Sequence, residues 1–312
     1  MTAQQPIRSG LGAHTTAREA LGEARLDGRI AIVTGGYAGV GLVTTRTLVA
    51  AGARVIVPAR DADKARRALE GIANVELESL DLADPASVDA FAARFTASHR
   101  PLHLLINNAG IMAAPLVRTA RGYESQLATN HIGHFQLAKR LWPALVRANG
   151  ARVVALSSRG HVRGQVDFED PHFERRPYDR WVAYGQSKTA NALFALGADR
   201  RGAPDGIRAF SVHPGAILET DLGRHMSREE AEVVVAAAAK VPGGFKTVEQ
   251  GAATSIWCAT SRALDGMGGL YCEDCDIARA VAPDHAAPTG VRPWACDPAL
   301  AEHLWDASER WI

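Results

Sequence analysis

Cysteine, net charge and long apolar runs are all scarce in this sequence of 312 residues. The 35 basic and 34 acidic residues leave a formal charge of +1, which offers no field to attract nucleic acid or an anionic membrane surface. The longest apolar run, Val233 to Ala239, is far shorter than the ~20 residues that a membrane helix needs. The stretch from Met1 to Gly28 lacks the apolar core of a secretory signal. We therefore expect a cytoplasmic protein with no nucleic-acid partner and no membrane anchor.

The four cysteines all lie in the C-terminal fifth of the chain. Cys272 and Cys275 have the two-residue gap of a zinc or redox site, but a zinc site usually has a second such pair or histidines at a matching spacing. His131 and His134 could be metal ligands, although packed or solvent-facing histidines fit the same spacing. We predict reduced structural thiols and no metal site, and a metal or redox site is the alternative.

Short apolar runs rich in β-branched residues alternate with helical patterns along most of the chain. Strands that alternate with helices form a parallel sheet with helices on both faces. The predicted fold class is therefore α/β, a single doubly wound domain over residues 28–312 with a central parallel sheet of about seven strands. The predicted strands are Ile30–Val33, Arg54–Val57, Val75–Leu80, Leu102–Ile106, Arg152–Leu156, Ile207–Val212 and, as a short last strand, Gly269–Tyr271.

Helix signals complete this pattern. Residues 1–27 form an N-terminal arm with a short helix, which the capping box Thr16-Ala17-Arg18-Glu19 opens. A long helical region from Tyr123 to Asn149 is expected to be interrupted near Pro143, because proline lacks the backbone N–H of a helix interior. The other predicted helices are Leu42–Ala51, one capped by Asp61 and ending at Leu69, one begun by Asp84-Pro85, Ala183–Arg201, one from the capping box at Ser227 to Ala239, Val248–Ala259 and Pro298–Trp311.

A glycine-rich turn lies between the first strand and its helix, and it reads Thr34-Gly35-Gly36-Tyr37-Ala38-Gly39-Val40-Gly41. Strand, glycine turn and helix in that order leave backbone N–H groups and a helix N-terminus where a pyrophosphate can lie. The alternative is a flexible turn without a ligand, and the position between strand and helix disfavours it. This stretch is therefore a candidate dinucleotide site.

The residues after the second strand bear on the choice of cofactor. An acidic residue here would hold a ribose 2′-hydroxyl, whereas Ala59 is neutral and the Arg60 guanidinium suits a 2′-phosphate. The sequence therefore favours NADP(H), and NAD(H) stays possible. The alternative for Arg60 is an ordinary surface arginine.

Tyr184 and Lys188 lie four residues apart on a predicted helix, so both side chains point from one face. A cation fixed beside a phenol lowers its pKa from the usual value of about 10, as a general acid/base near neutral pH requires. Such a pair is common by chance, and other motifs have to support it.

In five ordered motifs the chain resembles the short-chain dehydrogenase/reductase family, from about Leu26 to the C-terminus. The glycine turn, Asn107-Asn108-Ala109-Gly110 and the set Ser158, Tyr184 and Lys188 are similar to its cofactor and catalytic motifs. Three further stretches resemble a soluble member of its retinol-dehydrogenase-like and WW-domain-oxidoreductase-like branch: Ser157-Ser158-x-x-His161, Asn130-His131-x-Gly133-His134-Phe135 and Tyr184-Gly185-Gln186-Ser187-Lys188. The resemblance implies a Rossmann-type fold.

The resemblance also implies a role for each catalytic residue. Tyr184 would be the general acid/base, and Lys188 would lower its pKa and hold the nicotinamide ribose. Ser158 would hydrogen-bond the substrate oxygen, with Ser157 as the fallback. Asn130 would position a water that links Lys188 to solvent, although a purely structural hydrogen bond is the alternative.

For the cofactor, the resemblance implies contacts along one whole edge of the sheet. Glycines would hold the pyrophosphate, Arg60 the 2′-phosphate and Asp81 with Leu82 the adenine, while a segment after the sixth strand would cover the nicotinamide amide. The implied cofactor-binding residues are Thr34, Gly35, Tyr37, Ala38, Gly39, Val40, Gly41, Arg60, Asp81, Leu82, Asn107, Ala109, Gly110, Tyr184, Lys188, Pro214, Gly215, Ile217 and Thr220.

Taken together, the sequence predicts an NADP(H)-dependent oxidoreductase that interconverts a carbonyl (ketone or aldehyde) and an alcohol by hydride transfer. Loops near 159–182 and 216–246 would cover a small-molecule substrate. Phe168, Phe173 and Trp181 either line that pocket or anchor the loop. Helices near Gln126–Leu141 and Ala183–Leu196 resemble subunit-pairing helices, which implies a homodimer or homotetramer. The alternatives are an NADP-binding sensor or scaffold without turnover, a reductase of an activated C=C bond, and a sugar-nucleotide dehydrogenase.

Overall fold

The computed structural model describes residues 3–239, 243–287 and 289–312. Residues 1 and 2 of the predicted arm, 240–242 of the predicted loop 216–246 and residue 288 lie outside the described residues. One sheet organises the rest, in the order β3-β2-β1-β4-β5-β6-β7-β8. The strands are β1 Ile30–Val33, β2 Arg54–Ala59, β3 Val75–Ser79, β4 Leu104–Asn107, β5 Arg152–Leu156, β6 Arg208–His213, β7 Leu270–Glu273 and β8 Asp276–Ile277.

Seven strands run parallel, and β8 pairs antiparallel with β7. The predicted α/β sheet of about seven parallel strands is thus confirmed. The strand that the sequence did not predict, β8, has only two residues. Asp274 and Cys275 join it to β7, and both have positive φ angles of 52° and 58°. Two such residues in succession match the tight turn of a two-residue hairpin.

Helices cover both faces of the sheet, because alternate strand residues point to opposite sides. They are α1 Ala17–Leu21, α2 Gly39–Ala50, α3 Ala62–Ala68, α4 Pro85–Ala97, α5 Ser125–Leu127, α6 Gly133–Arg147, α7 Arg180–Gly202, α8 Arg228–Ala238, α9 Val248–Thr260 and α10 Pro298–Trp311. One apolar core lies between the sheet and α4, α6, α7 and α10, and a second lies under α1, α2, α3 and α9. Within the described ranges, no helix is both long and apolar enough to span a bilayer.

The interruption predicted near Pro143 is wrong. Helix α6 runs through Pro143 from Gly133 to Arg147. The irregular part comes earlier, as a π-helical turn over Ala128–Ile132. The cost of a proline inside a helix is outweighed here by burial, since α6 places Phe135 and much of its apolar face in the core.

The two ends of the chain are fastened to the domain. Gln4 donates from Nε2 to the carbonyl oxygens of Tyr271 and Ala278, at 2.8 and 2.6 Å, and accepts the Tyr271 N–H. At the other end, Trp305 of α10 packs edge-on against Phe135, with ring centroids 4.9 Å apart. Helix α10 therefore covers the outer surfaces of α6 and α7.

Candidate active site

The glycine turn has room for a ligand but not for side chains of its own. Gly35 and Gly39 have φ angles of +64° and +48°, which non-glycine residues rarely adopt. A Cβ on Gly41 would stand 2.3 Å from the carbonyl oxygen of Gly35. The residue that caps α2, Ala38, makes no side-chain hydrogen bond to the helix. First-turn N–H groups of α2 are therefore left for an anion, which fits a pyrophosphate.

The hydroxyl of Thr34 ties the glycine turn to the end of β4. Its Oγ1 accepts the backbone N–H groups of Asn108 and Ala109, at 2.9 and 3.0 Å. Asn108 donates from Nδ2 to the Thr34 carbonyl at 2.8 Å. Because β1 and β4 are neighbours, both motifs form one surface at the carboxyl ends of these strands.

The predicted adenosine contacts lie farther along the same edge. Arg60 is exposed at the end of β2, and no hydrogen bond of its guanidinium occurs among the described residues. Asp81 accepts the Ala83 N–H at 2.9 Å, which shapes the turn after β3. The Asn107 side chain is buried, and both of its polar atoms lack a partner in the described part of the chain. An exposed cation and an unpaired buried amide are the groups that a bound dinucleotide can satisfy.

The segment after β6 lies across the glycine turn. A Cβ added to Gly39 would be 3.1 Å from Cγ2 of Thr220, and Ile217 packs between Val40 and the Gly251 backbone. Gly215 has a φ of +94° and lies against the stem of Lys246. The structure thus brings this predicted cover segment to the predicted cofactor turn.

A buried cation holds the base of this segment. The Lys246 side chain is 5% exposed, and its Nζ lies 2.6 Å from the Asp274 carboxylate on the β7–β8 turn. Its backbone N–H donates to the Ala216 carbonyl at 2.8 Å. No sequence motif pointed to Lys246, because an isolated lysine before a helix cap looks like a surface residue.

Tyr184 and Ser158 meet at the carboxyl edge of the sheet. Tyr184 is buried in α7, and the edge of its ring and the Ser158 Oγ both lie within 3.4 Å of the point where a Cβ on Gly160 would stand. Ser158 follows β5, and its Oγ also accepts the Gly160 N–H at 3.0 Å. Ser157 instead donates to the Lys188 carbonyl at 2.7 Å, so the fallback serine is committed to the helix backbone.

Lys188 lies on the same face of α7 as Tyr184, as the spacing predicted. Its Nζ is 5.6 Å from the centroid of the Tyr184 ring and donates to the Leu156 carbonyl at 2.9 Å. Burial lowers the pKa of Lys188 to about 8. Burial also raises the pKa of Tyr184 to about 12, against a smaller lowering effect of the nearby Ser158 side chain. The lowered phenol pKa expected from the Tyr-x-x-x-Lys spacing is therefore not found in the protein alone.

Asn130, in the π-helical turn, clamps the chain after β4. Its Oδ1 accepts the Ile111 N–H at 2.8 Å, and its Nδ2 donates to the Ile111 carbonyl and to Ser187, both at 2.9 Å. Its own carbonyl accepts a 2.9 Å bond from Nδ1 of His134, whose Nε2 meets the Thr34 hydroxyl at 2.8 Å.

The remaining candidate residues take part in packing and in structural hydrogen bonds. His131 is buried and hydrogen-bonds Ser308 of α10 at 2.8 Å. Phe168 stacks on His303 of α10 at 3.9 Å, and Phe173 is buried, so both anchor the loop that contains them. Cys272 and Cys275 are buried free thiols. Among the described residues, no three His, Cys, Asp or Glu side chains are grouped to hold a metal ion.

Two residues of the quoted motifs have positions that their sequence did not explain. Gly133 lies against the Leu82 carbonyl, where a Cβ would come within 2.1 Å. Gly160 lies against one edge of the Tyr184 ring, and a Cβ there would be 2.7 Å from Cε1 of the phenol. The motifs named Gly133 and left position 160 open, and the neighbours that require both glycines come from other parts of the chain.

Comparisons with known proteins agree with this geometry. The sequence profile of the family described as short chain dehydrogenase matches residues 29–231. The chain is 47% identical to a Streptomyces lividans protein named "Probable oxidoreductase", over 90% of this chain and 96% of that one. It is 37% identical to human retinol dehydrogenase 12, over 91% of this chain and 86% of that one.

A solved structure is similar to this chain in fold. A Pseudomonas aeruginosa RhlG/NADP active-site complex superposes with a TM-score of 0.64 at 27% identity, covering 80% of this chain and 95% of that one. The residues that the family profile matches include the glycine turn, Ser158, Tyr184 and Lys188. The chain therefore belongs to the short-chain dehydrogenase/reductase family and is an oxidoreductase.

Proposed function

We propose that the protein interconverts a carbonyl compound and the corresponding alcohol with NADP(H). The observation that carries this proposal is the grouping of Ser158, Tyr184 and Lys188 at the sheet edge that also holds the glycine turn, with the Ser158 Oγ and the edge of the Tyr184 ring both facing Gly160. These groups offer two O–H donors to one substrate oxygen. A carbonyl oxygen that gains charge during reduction needs such donors.

Tyr184 would move the proton. With a pKa raised to about 12 by burial, the phenol keeps its proton over the ordinary pH range. It can therefore donate that proton to the oxygen of a carbonyl substrate. In the reverse direction Tyr184 has to lose the proton first, so alcohol oxidation is expected to speed up as the pH rises.

Ser158 would orient the substrate. Because its Oγ already accepts the Gly160 N–H, the hydroxyl proton is directed away from that bond and is available to the substrate oxygen. Two donors fix the position of the carbonyl more tightly than one. The pair Ser158 and Tyr184 would thus hold the substrate carbon in a single orientation.

The cofactor surface fits a dinucleotide. When bound, the nicotinamide supplies a hydride to the carbonyl carbon or accepts one from the alcohol. Lys188 uses one of its three N–H donors on Leu156, so the others are free for the nicotinamide ribose hydroxyls. Thr34, Gly35 and Gly41 would lie along the pyrophosphate.

The preference for NADP(H) rests on Arg60. Its exposed guanidinium follows β2, where an acidic residue would favour the ribose hydroxyl of NAD(H). Tyr37 and Ala38 add no second positive charge inside the glycine turn. The NADP complex of the similar P. aeruginosa structure supports the same choice.

The substrate pocket is formed by three segments that touch one another. Arg118 donates to the carbonyls of His172 and Phe173, at 2.8 and 2.9 Å. Arg180 donates to the His225 carbonyl at 3.1 Å and pairs with Glu230 at 2.9 Å. These contacts join the segment 113–121 to the loop 159–182, and that loop to the region of His225 and Glu230, so these parts would form one wall beside Tyr184.

The decisive experiment follows the loss of reduced-nicotinamide absorbance with NADPH and NADH against a panel of aldehydes, ketones and quinones. We expect turnover with at least one carbonyl and conversion of that carbonyl to an alcohol. Tight NADPH binding without turnover would favour a sensor, and a product with its carbonyl intact would favour a C=C reductase.

A Tyr184→Phe variant tests the role of the phenol. Turnover should fall below detection, while the Kd for NADPH stays within about two-fold, because the ring still fills its site. Tyr123→Phe is a matched control, since the Tyr123 ring stacks on His172 at 4.3 Å without using its hydroxyl in a described hydrogen bond. Retained activity in Tyr184→Phe would remove Tyr184 from its proposed role.

A further inference from the structure

The buried ring of His161 lies directly beneath Ser158. Both residues belong to a short 3₁₀ turn, in which Ser158 caps the helix Arg159–Arg163. The His161 backbone N–H donates to the Ser158 carbonyl at 3.0 Å, and its ring Nδ1 lies 2.8 Å from the same oxygen. Two bonds from one residue therefore hold the Ser158 carbonyl.

The surroundings of the ring decide which nitrogen carries the proton. Nε2 faces the backbone N–H of Arg292 at 3.2 Å, so Nε2 is an acceptor. Nδ1 therefore carries the proton and donates it to the Ser158 carbonyl. Burial lowers the pKa of His161 to about 4, which keeps this neutral form near pH 7.

The ring thus joins the serine turn to the C-terminal segment. The His161 carbonyl accepts bonds from Trp294 Nε1 at 3.0 Å and from Thr189 at 3.2 Å. Tyr271 of β7 places its hydroxyl 3.3 Å from Nδ1. Every polar group of His161 is engaged, and its partners lie on α7, β7 and the segment before α10.

The 3₁₀ turn that His161 holds also contacts the Tyr184 ring, so its position affects the groups that would react. Gly160, between Ser158 and His161, lies against the Tyr184 ring without space for a Cβ. The Ser158 Oγ accepts the Gly160 N–H, so the serine hydroxyl and the edge of the Tyr184 ring meet at this glycine. A shift of the turn would therefore change the distance between the two hydroxyl groups that face the substrate.

We propose that His161 is a positioning residue that sets the Ser158 hydroxyl against the Tyr184 phenol by tying the Ser158 carbonyl to the Arg292 backbone. The proposal rests on the carbonyl–alcohol function proposed above. His161 itself touches neither substrate nor cofactor. This role gives a function to the histidine of the Ser-Ser-x-x-His motif, which is not part of the catalytic set Ser158, Tyr184 and Lys188.

Three substitutions of His161 test the two hydrogen bonds of its ring one at a time. Asn places its amide nitrogen near the position of Nδ1, so His161→Asn can still donate to Ser158. Gln reaches the position of Nε2, so His161→Gln can accept the Arg292 N–H but not donate to Ser158. His161→Ala removes both bonds.

We expect kcat per NADPH-binding site to fall by roughly 10- to 100-fold in His161→Ala and His161→Gln, since misplacing a reacting group by about 1 Å can cost 10²-fold. His161→Asn should recover most of this loss. The Kd for NADPH should stay within about two-fold in all three, because the glycine turn lies on other strands. Counting sites by NADPH titration removes any effect of a smaller folded fraction.

His103→Ala is the matched control. His103 also accepts a backbone N–H, from Ile30 at 3.0 Å, but it precedes β4 at the opposite edge of the sheet. This variant should lower the melting temperature without changing kcat per site. A double-mutant cycle with Ser158→Ala completes the test, because His161→Ala should cost less than two-fold once the serine hydroxyl is gone.

The outcomes are distinct. If the wild-type protein reduces no carbonyl, the proposed function fails. If the wild type turns over and His161→Ala keeps kcat per site within about three-fold, His161 is only structural and the proposal is overturned. Equal losses in the wild-type and Ser158→Ala backgrounds would also overturn it. Should His161→Ala not fold, the comparison of His161→Asn with His161→Gln decides, and equal kcat in both refutes the positioning role.

Discussion

Substituting Gly160 by alanine should slow the reaction without weakening the cofactor site. The added Cβ would stand 2.7 Å from Cε1 and 2.9 Å from Cδ1 of Tyr184, and 3.4 Å from the Ser158 Oγ. Unstrained carbon contacts lie near 3.5 Å or beyond, so the turn and the phenol have to separate by about 0.8 Å. Gly160 is not among the residues with positive φ, and backbone strain does not add to this steric effect.

The size of the effect follows from this displacement. A misplacement of about 1 Å can cost 10²-fold in rate, so we expect kcat to fall by roughly 10- to 100-fold. That range corresponds to about 1.4–2.7 kcal/mol of lost transition-state stabilisation. The KM for NADPH should hardly change, because the glycine turn and Arg60, which would hold the phosphates, are not among the neighbours of the added methyl group.

The assay compares kcat, the Kd for NADPH and the melting temperature of Gly160→Ala with those of Gly12→Ala. Gly12 has no atom within 4 Å of an added Cβ and no positive φ, so it reports the effect of a methyl group alone. A Gly160→Ala enzyme with kcat within two-fold of the wild type would refute the reasoning. A loss confined to NADPH affinity would show that the turn serves the cofactor instead of the phenol.

Three further expectations follow. Arg60→Ala should weaken NADPH by roughly 10- to 100-fold and NADH by less than two-fold, since a hydrogen bond to a charged group contributes about 1.5–3 kcal/mol; equal losses in titrations of both cofactors would contradict the 2′-phosphate contact. His134 and His161 keep the pKa near 4 because burial disfavours the charged ring, whereas the unfolded chain titrates near 6.5. Between pH 4 and 6.5 the unfolded state therefore binds more protons than the folded state. Each histidine should lower the free energy of unfolding by up to about 3 kcal/mol as the pH falls from 6.5 towards 4. Urea titrations in which the free energy of unfolding stays constant over this range would contradict that. The resemblance implied subunit pairing through helices near Gln126–Leu141 and Ala183–Leu196, but Trp305 of α10 packs on Phe135 and Phe194 of these helices, so we expect sedimentation to give a monomer of 33.2 kDa. A particle of twice that mass or more would contradict this expectation.

Local patterns were enough to place most of the elements. Ile30–Val33 and Arg152–Leu156 were predicted to the residue, because a strand buried on both faces is almost continuously apolar. The capping boxes at Thr16 and Ser227 also formed as predicted, since the groups that satisfy each other lie within one turn.

Predictions that depended on residues distant in sequence were less accurate. Pro143 was expected to break a helix, but the packing of α6 against the core keeps it whole. Helix α2 begins at Gly39 instead of Leu42, because the last residues of the glycine turn already form its first turn. The two-residue strand β8 was not predicted, since only its pairing with β7 makes it a strand.

By itself the sequence determined the α/β class, the order of the strands along the chain, the glycine turn and the spacing of Tyr184 and Lys188. All of these depend on neighbours within a few residues, so they can be read along the chain. Only the tertiary structure decided the direction in which the pKa of Tyr184 shifts and the role of His161. Burial raises the pKa of the phenol, and the His161 bonds come from Ser158 on one side and Arg292 on the other, which are 134 positions apart in sequence. Desolvation and long-range hydrogen bonds depend on what the folded chain places around a group, and that environment is absent from the local sequence.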